Sequence, residues 1–74
     1  MNETFAVLIT KVPGGATPVM SHGVETIADL FATAFHGESI NGYQIQVNGV
    51  SKDATYVPRA GENVTCAKMI KGNK

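Results

Sequence analysis

TIADLFATAFHG (Thr26–Gly37) is the one stretch of this chain with a helical period: Ile27, Leu30, Phe31 and Ala34 recur at i, i+3, i+4 and i+7 and form a single apolar stripe. Its ends are marked as well. Thr26 has the hydroxyl of an N-cap, and Asp29 three residues on makes a capping box with Asp in place of Glu, its charge suiting the positive helix end. Gly37 supplies a left-handed stop, and His36 in the last turn meets the negative end of the dipole. Phe35 falls beside the stripe, placed to cover the margin of a core. A helix with one apolar stripe must bury it against another layer of the fold.

Upstream, Thr4 to Val12 is rich in β-branched and aromatic residues, with Phe5, Val7 and Ile9 on one face and Ala6, Leu8 and Thr10 on the other. Both faces are largely apolar, which predicts a central strand. Pro13-Gly14-Gly15 then turns the chain into an antiparallel neighbour at Ala16 to Met20. Pro18 has no N–H to give a ladder, so this second strand belongs at the sheet's edge. Downstream of the helix, Tyr43-Gln44-Ile45-Gln46-Val47 alternates cleanly and should bury one face only. Asn48-Gly49 closes it with the residues a type I′ turn prefers. Val50 to Glu62 reads as a short strand or loop punctuated by Pro58 and Gly61, with Val57 as a core anchor, and a final strand runs from Asn63 to about Ile70.

With 74 residues the chain makes one domain, which can bury only roughly 60% of the surface its unfolded form exposes. Apolar residues make up 43% and charged residues 16%, and the formal net charge is zero, so neither disorder nor a polyanion-binding field is implied. Nucleic acid is not the expected partner. Cys66 is the single cysteine, so no intrachain disulfide can form and packing alone must hold the fold, as in a reducing compartment. The opening MNETFAVLIT has no basic leader, and no segment approaches the roughly 18 apolar residues of a membrane span. The expectation is a cytoplasmic protein that does not enter the membrane.

Strand, strand, helix, strand, short strand or loop, strand has a known solution. A right-handed crossover through the helix lays the last strand parallel to the first, giving one mixed sheet of four to five strands packed on one helix. This α+β arrangement is the ubiquitin-like β-grasp. Within it, VETIADLFATAF, then YQIQVNG, then YVPRAGENVTCAKMIKG resemble the small sulfur carriers of thiamine and molybdopterin biosynthesis. In those carriers an acid-capped helix, a Val-Asn-Gly turn and a Gly-acid-x-Val entry to the last strand occur in this order. Similar signatures occur in TGS domains, the β-grasp modules of some synthetases and GTPases. The resemblance to the carriers implies a terminal Gly-Gly whose carboxylate is adenylated and converted to a thiocarboxylate. This chain departs from it: Lys71 stands where the first glycine would be, and Asn73-Lys74 follow Gly72.

No catalytic constellation, metal site or cofactor site is expected. His22 and His36 are the only histidines, and no further Cys or His has the spacing to complete a closed metal site. Ser21 beside His22 lacks a nucleophile elbow, and Cys66 sits on an apolar strand, where a thiol is buried and inert. The favoured expectation is a noncatalytic module whose exposed sheet face and short, mobile basic tail from about residue 71 meet a protein partner. Gln44, Gln46, Lys68, Lys71 and Gly72 are its candidate binding residues. A sulfur carrier or protein modifier, activated at Gly72 after trimming and partnered by an adenylating enzyme, is the first alternative. An RNA-binding module of TGS type is the second, with Tyr43, Tyr56 and Arg59 as its scant basic and aromatic residues.

Overall fold

The computed structural model describes residues 4–69 of the chain. Six elements follow in order: β1 (Phe5–Val12), β2 (Gly15–Ser21), α1 (Ile27–Ala34), β3 (Tyr43–Val47), β4 (Val50–Ser51) and β5 (Asn63–Lys68). The strands form one five-stranded mixed sheet in the order β2-β1-β5-β3-β4. β1 and β5 are parallel neighbours, with Ile9 opposite Val64, and every other pair is antiparallel. The fold is therefore α+β, a mixed sheet with one helix, and the first and last strands meet at its centre.

Strand alternation decides the core. On the face toward α1 lie Val7 and Ile9 of β1, Val19 of β2, Ile45 and Val47 of β3, and Val64 and Cys66 of β5, which pack with Ile27, Leu30 and Phe31 of the helix. Phe31 also meets the rings of Phe35 and Tyr43, with centroids 4.9 and 5.1 Å away in tilted geometry. Phe35 and Tyr43 are partly buried at the margin of this cluster.

The helix starts as its sequence requires. Thr26 is the N-cap: its Oγ1 accepts the Asp29 N–H at 3.2 Å, and the Asp29 carboxylate accepts the Thr26 N–H at 3.3 Å. Two further N–H groups of the first turn, on Ile27 and Ala28, donate to the carbonyls of Tyr56 and Ala54 at 2.9 and 3.1 Å. The irregular segment after β4 is thus fixed by the helix end it satisfies. The other end departs from expectation. The helix stops at Ala34, so His36 is not in its last turn. The left-handed position after the C-cap Phe35 is taken by His36 itself, at φ +56°, with Gly37 following at +83°. Gly37 N–H donates to Ala32 C=O at 2.7 Å, the long bond of a Schellman ending.

One further correction concerns the loop, and two expectations about the strands are sharpened. Val57 is only partly buried, and its neighbour Pro58 is the fully buried residue of the segment. β4 is a strand, but of only two residues. Ala6 and Leu8 are exposed, so β1 is central in the sheet yet covered on one face only. Asn48 and Gly49 both have positive φ, +51° and +84°, as the type I′ turn between β3 and β4 demands. Ile70, where the final strand was expected to end, and the tail from Lys71 lie outside the described residues.

Candidate functional site

With α1 on one side, the sheet leaves its other face uncovered among the described residues. Half of that face is apolar: Ala6, Leu8 and Val12 of β1 stand beside Ala16, Pro18 and Met20 of β2, with Leu8 opposite Pro18 and Ala6 opposite Met20. Leu8, Val12 and Met20 are 38, 48 and 57% exposed, large for side chains of this kind. The other half is uncharged and mostly polar, with Asn63 and Thr65 of β5, and Ala67 between them and the strand end, beside Gln44 and Gln46 of β3. Among the described residues the only charged strand residues are Lys11 and Lys68, and both fall in the rows that face the helix. No strand residue facing outward is charged.

Register separates the predicted site residues. Gln44 and Gln46 pair with Ala67 and Thr65 on the outward face, as expected. Lys68 pairs with Tyr43 two residues beyond Cys66, so it belongs to the helix side and does not join the two glutamines. Lys71 and Gly72 lie outside the described residues. The residues that sequence reasoning missed are Leu8, Val12, Pro18 and Met20. Their signal is present in the two apolar faces of β1, of which one helix can cover only one.

The charges are spent elsewhere. At the helix-side rim, Glu38 accepts hydrogen bonds from Lys11 Nζ and Tyr43 Oη, each at 2.7 Å. The Lys11 bond foremost, then that of Tyr43, holds the Glu38 carboxyl below its ordinary pKa, and the same carboxylate pushes the Tyr43 phenol up. Lys11 also lies 4.6 Å from the centroid of the Phe35 ring. This cluster ties the segment after α1 to β1 and β3.

Ser21, His22 and Glu25 come together at the end of β2 as a turn. Glu25 accepts from Ser21 Oγ at 3.1 Å and from the His22 N–H at 2.8 Å, and its other oxygen is 2.8 Å from His22 Nδ1. Ser21 Oγ is fully buried and also accepts the Gly23 N–H at 3.0 Å. The serine hydroxyl and the imidazole thus both bond the carboxylate and not each other. The set is a structural lock. Tyr56 Oη and the Arg59 N–H both donate to the Glu62 carboxylate. Cys66 is wholly buried, and desolvation pushes its thiol up to about 11. Among the described residues no three His, Cys, Asp or Glu side chains converge on a metal position, and no helix is long and apolar enough to cross a membrane.

The chain matches no protein-family model, no curated protein and no solved structure.

Proposed function

We propose that this is a ubiquitin-like β-grasp domain that acts without catalysis of its own, by presenting the uncovered face of its sheet to a protein partner. The fold part of this reading is supported by the strand order β2-β1-β5-β3-β4, with the first and last strands parallel at the centre and one helix crossing between the hairpins. The functional part rests on one observation. The outward face joins an apolar half centred on Leu8 and Met20 to a neutral hydrogen-bonding half containing Gln44 and Gln46. Depletion of charge at the centre with amide and hydroxyl groups around it is the composition of a protein–protein interface. The face has no aromatic or basic strand residue on which a base could stack or a phosphate pair, which favours a protein over RNA.

The test is a comparison of Leu8→Glu with Lys68→Ala in affinity capture from the native cell, each variant first shown to be folded by circular dichroism. A partner retained by wild type and by Lys68→Ala but lost with Leu8→Glu is the expected result. Equal capture by all three proteins would remove the sheet face from consideration.

A further inference from the structure

A second surface, separate from the sheet face, lies along the outer edge of β3. β4 is only two residues long and pairs with β3 only at Gln46 and Val47, so the first half of β3 has no neighbouring strand on that side. Bond direction along β3 can be read from its ends. Asn48 N–H donates to Asn63 C=O, and Gly42 C=O accepts from Met69 N–H, so the even-numbered residues point their backbone groups toward β5. Tyr43 and Ile45 therefore point theirs outward. Of these four groups two are occupied: Tyr43 N–H donates to Ile40 C=O at 3.2 Å, and Ile45 C=O accepts from Lys52 N–H at 3.1 Å. Between them, Tyr43 C=O and Ile45 N–H have no hydrogen-bond partner among the described residues.

These two groups open into a groove of about 400 Å³, within the size range of ligand sites. Its walls include Ile40 and Asn41 at one end and Lys52, Asp53 and Ala54 at the other, with Met69 also lining it. An acceptor and a donor two residues apart on one strand edge, left to water, are the pair of groups that an added strand engages. We propose that this groove binds an extended peptide segment of a partner protein by strand addition. One residue of the segment, lying opposite Gln44, gives its N–H to Tyr43 C=O and accepts the Ile45 N–H with its own C=O.

A second copy of this chain does not fit. Its own β3 edge is set back between the same two walls, and two recessed edges cannot come within hydrogen-bonding distance. A single extended chain is narrow enough to enter. At the opposite edge of the sheet, Pro18 in the middle of β2 has no N–H to give an added strand.

The test uses the full chain, labelled with nitrogen-15, and an acetylated, amidated pentapeptide of alternating threonine and valine at millimolar concentration. In the free protein the Ile45 amide should exchange with solvent faster than those of Gln44 and Gln46, which are held by β5. Peptide should slow Ile45 exchange selectively. Methylating the backbone nitrogen of the central residue of the probe should weaken binding by about tenfold, the effect of one lost hydrogen bond and an acceptor left unpaired. An Ile45 amide already protected in the free protein would overturn the proposal, as would the absence of any peptide-dependent protection. So would shifts confined to Leu8 and Met20, which would place the peptide on the sheet face.

Discussion

Glu25 is the residue whose ionisation the local structure depends on most. Its carboxylate accepts from the imidazole of His22, the backbone of His22 and the hydroxyl of Ser21, and these bonds, that of the His22 side chain first, lower its pKa from 4.5 to about 2. A group whose folded pKa is depressed contributes stability above its unfolded pKa and loses it as pH falls through the folded one. The contribution of Glu25 should therefore be complete above about pH 4.5 and fade toward pH 2. Glu25→Gln should lower the unfolding midpoint at neutral pH and leave it near that of wild type at the acid end. Thermal unfolding followed across that range would check it, and a carboxylate resonance titrating near 4.5 would show the lock to be absent.

At the level of elements, α1 carries more of the fold than its eight residues imply. It is the only helix among the described residues to cover the inner face of the sheet, and Leu30 at its middle is 1% exposed among residues of β1, β2, β3 and β5 in one cluster. Leu30→Ala should cost about 2–5 kcal/mol, a large share of the stability of a domain this small. Urea denaturation gives the value directly, and an unchanged midpoint would mean that the sheet is held without the helix. The hairpin of β3 and β4 is decided more locally. Asn48 and Gly49 tolerate the left-handed backbone that turns it, and Asn48 Oδ1 accepts the Asn63 N–H at 3.0 Å to tie the turn to the start of β5. The same turn leaves β4 short, because Lys52 to Ala54 leave the ladder and reach the helix N-terminus, where Ala54 C=O accepts the Ala28 N–H. The open edge of β3 is a consequence of that diversion.

For the sheet as a whole, the two charged residues of the described strands, Lys11 and Lys68, lie on the helix side, and the outward-facing strand residues are neutral. The tail from Lys71 to Lys74 lies outside this division and contains no apolar residue with which to anchor itself. Its deletion should leave the thermal midpoint within a degree or so of wild type, while weakening any partner that reads the basic residues. A large loss of stability would show that these residues are packed structure. Gly72→Ala separates two functions of the same tail: a binding segment should tolerate the added methyl, and a terminus threaded through an adenylating active site should not.

The sequence by itself determined the elements, because each depends on neighbours within a few residues. The stripe Ile27-Leu30-Phe31-Ala34, the Thr26–Asp29 cap, the Asn48-Gly49 turn and the alternation of β3 all appear where local period and turn chemistry place them. Tertiary structure decided what those local rules leave open. Two apolar faces on β1 do not reveal that one helix covers only the Val7–Ile9 face, leaving Leu8 in water. Lys68, by contrast, follows from strand alternation, since it lies two residues beyond the buried Cys66, and its register with Tyr43 agrees. Pro58 is buried, and Val57 less so, because the loop is shaped by the helix N–H groups it must satisfy. Periodicity assigns side chains to two faces of a strand; which face is covered, and which backbone groups are left without a partner, depends on pairings between residues far apart in the chain.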